Sequence, residues 1–324
     1  MANERKLKVT LPKGSLWNTV LNIFTEAGYV IKWSEREYRP SINDNEIEIK
    51  LLRPQEIPNY LTSKDGFDIG ISGLDWVKET GADVEKILDL EAGKVKIVFC
   101  LPSFWENINS LDECIKRFID LKKDLRISTE YINLSIKSLM SCPAYKKEFG
   151  EQIPMVITPW ITWGTNSHVK IYLSFGATEA KPPEEVDAII DNTETGTTLR
   201  ENNLKVVEVL DQSSAILIAN KHSLKDEWKR EKIEDIRLLL AGVRNARKKI
   251  HLFMNVKEEN LDNILKILPA LKRPTISKLA GNDSNGWYAV NTIVDKDQFM
   301  DLLPKLRKLA QGIVIHQPRQ VMEI

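Results

Sequence analysis

At 324 residues the chain is too long for one core, since domains usually hold about 100–200 residues, so two or three domains are expected. Hydrophobic residues make up 42% and charged residues 28%, ordinary globular usage that excludes a disordered, collagen-like or disulfide-stapled chain. Lys+Arg and Asp+Glu each number 46, so the basic excess that neutralises phosphates along a nucleic acid is missing and no nucleic-acid partner is expected.

Leu7, Val9 and Leu11 alternate with Lys8 and Thr10, the period of a strand with one covered face. Pro12-Lys13-Gly14 breaks it and Ser15 can cap the next helix. Leu16, Val20, Leu21 and Phe24 form that helix's apolar stripe, with a stop at Gly28. Ile47, Ile49 and Leu51 repeat the strand pattern, and Arg53-Pro54 opens a helix with proline at its first position. A third strand over 67–72 ends at Gly73, ahead of a helix over 74–79. A fourth unit comes much later: a strand over 186–190, the loop 191–198, and a helix from Leu199. Four strand–loop–helix units imply an open α/β sheet whose ligands sit beyond the carboxyl ends of the strands.

Between the third and fourth units lies a second α/β block, with strands over 95–101, 125–128, 155–158 and 169–173 and helices over 111–121 and 134–149. The chain is thus expected to leave one lobe and return, a two-lobed, hinge-type design. Lobe I is assigned to 1–94 and 182–224, lobe II to 95–181, and a separate C-terminal domain to 225–324. That domain opens with an amphipathic helix over 226–245, striped by Ile233, Ile236, Leu240 and Val243, and ending in the basic cluster Arg244, Arg247, Lys248 and Lys249. A strand over 250–256, a helix over 258–268, a strand over 275–279, a polar turn over 281–286, a strand over 287–294, a helix over 298–309 and a strand over 313–316 follow. This is βαββαβ, the ferredoxin-like order. Residues 1–8 are charged with no apolar signal region behind them, and no run approaches the roughly 18 apolar residues of a membrane helix. Cys100, Cys114 and Cys142 lack CxxC spacing, so reduced thiols in a cytoplasmic protein are expected.

The segment richest in chemistry is Asp191-Asn192-Thr193-Glu194-Thr195-Gly196-Thr197-Thr198. A loop of small residues between strand and helix exposes successive backbone N–H groups to an anion. Thr195, Thr197 and Thr198 add hydroxyl donors, Gly196 allows close approach, and Asp191 and Glu194 suit sugar hydroxyls or a magnesium-bound ligand. Such a loop fits a phosphomonoester; the same spacing also suits a capped helix with a surface acidic pair. It is not a Walker loop. Lys13-Gly14-Ser15 is a second strand-end loop where Lys13 could meet a polyphosphate or simply be solvated. Arg53 is a phosphate fork or a surface arginine. Gly70-Ile71-Ser72-Gly73 before Asp75 could admit a base or ribose, or form a tight turn. His168, His222, His251 and His316 are scattered without HxH or HExxH spacing, Trp160 and Trp163 read as packing residues, and no nucleophile–base pair stands out.

Taken in order, Leu11-Pro12-Lys13-Gly14, Leu52-Arg53-Pro54 through Ile57-Pro58, Asp68-Ile69-Gly70-Ile71-Ser72-Gly73-Leu74-Asp75, Thr129-Glu130-Tyr131-Ile132-Asn133-Leu134, Gly176-Ala177-Thr178-Glu179-Ala180, Glu194-Thr195-Gly196-Thr197-Thr198-Leu199 and Pro274-Thr275-Ile276 resemble the ATP phosphoribosyltransferase family. The likeness covers nearly the whole chain, and the tail makes it similar to the family's long form with its own regulatory domain. The resemblance implies the first step of histidine biosynthesis: N1 of ATP displaces pyrophosphate from C1 of phosphoribosyl pyrophosphate. It also implies Mg²⁺, feedback inhibition by histidine through the tail, assembly as homo-oligomers (dimers or hexamers), and a two-lobed periplasmic-binding-protein-like catalytic unit. By the family match, Thr195, Gly196, Thr197 and Thr198 hold the 5-phosphate with Asp191 and Glu194 near the ribose. Lys13, Gly14 and Arg53 face pyrophosphate or ATP phosphates, Gly73 and Asp75 line the nucleotide side, and Asn255, Thr275 and Ser277 receive histidine.

The chain departs from the family pattern at Ser15, where arginine is common, at Ile132, where proline is usual, and over Glu91-Ala92-Gly93-Lys94-Val95-Lys96, where Lys94 or Lys96 can replace an arginine charge. Two rival readings stand beside this one, a non-catalytic two-lobed small-molecule sensor and a phosphoribosyltransferase acting on another base.

Overall fold

The computed structural model describes residues 5–269, 274–280 and 286–322, so the first four residues and all but the end of the expected turn at 281–286 lie outside the described residues. The chain divides into two compact units: Lys8–Trp17 with Ile49–Lys225, and Met1–Leu7 with Asn18–Glu48 and Asp226–Ile324.

The first of these carries two sheets. One has five strands in the order Ile47–Leu52, Leu7–Pro12, Ile69–Gly73, Ala215–Ala219 and Glu85–Asp89. Leu7–Pro12 runs parallel to Ile69–Gly73, and Ala215–Ala219 returns antiparallel on the other side. Ile69, Ile71 and Ile218 are fully buried, as strands covered on both faces should be. The other sheet has seven strands, ordered Thr162–Trp163, Pro154–Ile157, Asn166–Leu173, Leu125–Thr129, Ala188–Thr193, Val95–Pro102 and Leu204–Ser213. Its core joins Phe99, Ile127, Ile171 and Ile190 to Cys114, Ile115 and Phe118 of the helix Leu111–Asp120. Ser110 caps that helix by accepting the Glu113 N–H at 3.1 Å. All three cysteines are free and buried.

Four local expectations are corrected. Ala188–Thr193, assigned to lobe I, lies in the seven-stranded sheet, parallel to Leu125–Thr129 and antiparallel to Val95–Pro102. Leu204–Ser213 follows it there, so the chain re-enters the five-stranded sheet only at Ala215, some thirty residues later than the boundary at 182. Local periodicity shows a buried strand but not which sheet covers it. The single helix over 134–149 is two, Ile132–Ser141 and Pro143–Phe149, because Pro143 has no N–H for the preceding turn. The helix after Arg53 begins at Ile57, with Pro58 in its first turn. Trp160 is 77% exposed, with its ring edge-on to Phe175, so it is not a core residue.

The second unit holds an antiparallel sheet ordered Thr275–Lys278, Trp287–Asp295, Lys249–Lys257 and Ala310–His316. Helices Glu258–Ile267 and Lys296–Leu306 cover one face, burying Leu252, Met254, Val256, Val290 and Val294 against Ile264, Phe299 and Leu306. This is the expected ferredoxin-like order. Its leading helix, Glu227–Ala246, buries Ile233, Ile236, Leu240 and Val243. The segment Asn18–Glu48 belongs with it: Lys232 bridges Asp44 at 2.8 Å and Glu46 at 2.7 Å, and Arg247 meets Glu26 at 3.1 Å. These ion pairs are non-local, which is why the lobe I boundary drawn from sequence included residues 18–48.

Candidate active site

The strand Ala188–Thr193 delivers the loop, and Gly196 turns it into the helix Thr197–Glu201 with φ +75°, a left-handed conformation in which any side chain is strained. Thr193 Oγ1 accepts the Gly196 N–H at 2.9 Å, and Thr195 Oγ1 lies 3.0 Å from Thr197 Oγ1. The Arg200 guanidinium donates to the Thr195 carbonyl at 3.2 Å and to Thr197 Oγ1 at 3.2 Å, pinning the loop from its helix side. Thr195, Thr197 and Thr198 remain exposed, so the hydroxyl-lined turn opens to solvent. At its foot, half-buried Asp191 accepts the Asn192 N–H at 2.7 Å. Burial pushes its carboxyl up to about 6, with Glu130 and Glu179 adding in the same direction.

Beside the loop is a pocket of about 500 Å³ lined by Leu74, Lys94, Lys96, Glu194, Gln212 and Ser213 among others. Its size falls in the range of small-molecule sites. On the five-stranded sheet, Lys13 donates its N–H to the Leu52 carbonyl at 2.7 Å, and a side chain added at Gly14 would begin 3.5 Å from the Arg53 guanidinium. Lys13 and Gly14 therefore share one strand end with Arg53, which lies far along the sequence from them.

Asp75 stands elsewhere than expected. It is only 3% exposed, and its carboxylate is taken by Tyr131 Oη at 2.8 Å and Ser213 Oγ at 2.6 Å. Tyr131 Oη in turn accepts from Asn192 Nδ2 at 2.7 Å, and its buried ring stacks on Trp76 at 4.5 Å. Burial raises the Tyr131 phenol well above its ordinary value, with the Asp75 charge adding to it, so the hydroxyl stays a donor. Gly73 is required by this hub: a Cβ there would lie 2.0 Å from Asp75 Oδ1. Asp75 is thus buried, with its carboxylate committed to Tyr131 and Ser213. One turn further, Glu79 accepts the N–H groups of Asn133 at 2.8 Å and Leu134 at 2.9 Å, capping the helix Ile132–Ser141. Burial raises its pKa while those N–H groups oppose the shift.

Tyr131, Asn192, Ser213 and Glu79 were not singled out from sequence. Tyr131 and Asn192 lie inside segments that sequence did mark, but nothing local shows that they meet. Tyr131→Phe keeps the stack on Trp76 and deletes both hydrogen bonds. We expect a loss of about 1–3 kcal/mol of stability and a fall in kcat of roughly tenfold or more, with KM values changed less. Steady-state kinetics beside a thermal melt check this, and unchanged kcat in a folded variant removes Tyr131 from loop positioning.

In the tail sheet, Asn255 pairs with Ala289, which pairs with Ser277, while Asn291 pairs with Thr275. Directly opposed residues share a face, and positions two apart along a strand do too. Asn255, Thr275 and Ser277 therefore stand together on the face opposite Leu252, Met254 and Val290, the face free of the two helices.

Residues 53–242 match the family model for ATP phosphoribosyltransferase (HisG), and residues 246–317 match that for the HisG C-terminal domain. The ATP phosphoribosyltransferase of Pelotomaculum thermopropionicum is 39% identical over 318 residues, covering 97% of this chain and 98% of the relative. That of Chlorobium chlorochromatii is 38% identical over 320 residues, covering 97% of each. The solved ATP phosphoribosyl transferase (HisG:HisZ) complex from Thermotoga maritima shares the fold at TM-score 0.54 and 24% identity, covering 74% of this chain and 98% of that one.

Proposed function

The chain belongs to the ATP phosphoribosyltransferase family, and from that premise we propose how its residues divide the work. The enzyme transfers the 5-phosphoribosyl group of phosphoribosyl pyrophosphate to N1 of ATP, releasing pyrophosphate, the first step of histidine biosynthesis. Adenine N1 offers a free lone pair, so no base is needed to unmask it, and pyrophosphate leaves without a strong acid. Catalysis then rests on holding the two substrates in line and stabilising the cationic C1 and the departing charge.

The loop at 191–198 carries this assignment. Its outward hydroxyls and the N–H groups around Gly196 hold the 5-phosphate, and Asp191 and Glu194 hold the ribose hydroxyls. Lys13, Gly14 and Arg53 meet phosphate oxygens. Asp75, through Tyr131 and Asn192, sets the loop's height. Among the described residues no three acidic, histidine or cysteine side chains converge on a metal position. Asp191 and Glu194, at the mouth of the loop, would face a magnesium ion brought in on the diphosphate, which would help to neutralise the leaving charge. No helix among the described residues is long and apolar enough to cross a membrane, and a cytoplasmic homo-oligomer, dimer or hexamer, suits the reading.

Histidine is the proposed inhibitor, received by Asn255, Thr275 and Ser277. Inhibition requires that histidine favour one state of the enzyme over another. Thr275→Trp, at an exposed strand position, should weaken histidine inhibition at least tenfold with little change in turnover; unaltered inhibition moves the site elsewhere. The deciding experiment for the reaction is pyrophosphate release from phosphoribosyl pyrophosphate, ATP and Mg²⁺. Release that needs ATP supports the reading. Equal release with a free purine or pyrimidine in place of ATP reassigns the acceptor, and none from folded protein favours the sensor.

A further inference from the structure

Lys94 and Lys96 lie beside the loop at 191–198, lining a pocket with Glu194, and nothing above gives them a ligand. Lys96 pairs directly with Thr193 on one neighbouring strand and with Gln212 on the other. Directly opposed residues leave a sheet on the same face, so the Lys96 side chain projects beside Thr193, whose hydroxyl holds the Gly196 N–H. Lys94, Lys96 and Glu194 all line the pocket of about 500 Å³. Both lysines are exposed, and among the described residues neither is engaged in an ion pair. The pocket's other carboxylate, Asp89, is held by the Ser214 hydroxyl at 2.8 Å and the Glu91 N–H at 2.7 Å. Two uncommitted ammonium groups thus share a pocket with a carboxylate already turned to its own loop and with one, Glu194, at the mouth of the phosphoribosyl loop.

We propose that Lys94 and Lys96 form an oligophosphate subsite of this active site, contiguous with the loop at 191–198. The inference rests on the proposed reaction, which offers two sources of that chemistry: the triphosphate of ATP and the diphosphate leaving group. Lysine suits either, since ammonium groups on flexible stems meet phosphates as point charges. The subsite puts its ligand in the same pocket as Glu194.

The test uses Lys94→Gln, Lys96→Gln and the double variant in the full chain, with KM measured separately for each substrate. A rise in KM for ATP of tenfold or more in the double variant, with KM for phosphoribosyl pyrophosphate within threefold of wild type, assigns the triphosphate. A rise confined to phosphoribosyl pyrophosphate, with weaker product inhibition by pyrophosphate, assigns the leaving group. Both KM values unmoved overturns the subsite. Titration of wild type and double variant with inorganic tripolyphosphate gives a readout that needs no turnover: binding weakened tenfold in the variant supports the subsite, and equal binding overturns it. A wild-type protein that binds tripolyphosphate through these lysines yet releases no pyrophosphate defeats the reaction and not the subsite. Lys96→Arg should restore whichever constant Lys96→Gln raised.

Discussion

Gly196→Val is expected to fold and to lose phosphoribosyl transfer by at least about 100-fold in kcat/KM for phosphoribosyl pyrophosphate, a transition-state loss of roughly 3 kcal/mol or more. Two effects add at this position. Gly196 has φ +75°, which a β-branched residue adopts only under strain of about 1–3 kcal/mol. Its added Cβ would also start 3.3 Å from the Arg200 guanidinium that ties the loop to Thr195 and Thr197. The loop therefore shifts, and the hydrogen bond from the residue 196 N–H to the Thr193 hydroxyl is lost with its geometry. The body of the sheet is spared, because Ile189 and Ile190 are held on both sides by Val95–Pro102 and Leu125–Thr129. Circular dichroism and a melt should show native structure with a Tm lowered by a few degrees. Near-normal turnover in that protein takes the 5-phosphate away from this loop.

The contrast between Gly196 and Asp75 shows what could be read from residues alone. Gly196 sits in a run whose local pattern, small residues between a strand and a helix, already states a backbone geometry, and the structure has that geometry. The Asp75 segment is just as legible as a strand end and helix start, with Asp75 in the first turn of Leu74–Thr80. Its use is not legible, since Tyr131 lies 56 residues away and Ser213 lies 138 away. A buried carboxylate and a surface one look identical in sequence until the groups that cover them are known. The same holds for sheets. The strand Ala188–Thr193 was visible as an apolar run, yet its membership in the seven-stranded sheet depends on pairing with residues 96–100 and 127–129. The tail is legible almost element for element because a ferredoxin-like module is built from near neighbours, and each alternating strand declares its covered face. Residues 18–48 defied the linear boundary because the ion pairs of Lys232 and Arg247 that hold them come from two hundred residues downstream.

Asp191→Asn carries the other large effect, and it separates stability from function. In the folded chain burial lifts the Asp191 carboxyl from 3.8 to about 6. Between those values the folded state binds more protons than the unfolded one, so stability falls as pH rises through that window. Above pH 6 the ionised group costs up to about 3 kcal/mol, taking 1.36 kcal/mol per unit. Asparagine carries no charge and removes that cost. At pH 8 the variant should therefore melt roughly 6–12 °C higher than wild type, since each kcal/mol moves a domain of this size by roughly 2–4 °C. Below pH 4 the two should coincide. Activity should move the other way. Ribose hydroxyls are donors that a carboxylate accepts strongly, so wild-type kcat/KM for phosphoribosyl pyrophosphate should climb between pH 5 and 7. Asp191→Asn should lose about 100-fold at pH 8 and lose that acidic limb as well. An Asn variant less stable than wild type at pH 8 would mean that Asp191 is a structural anion satisfied by its neighbours. An acidic limb that survives the substitution would assign the titration to another group at the site.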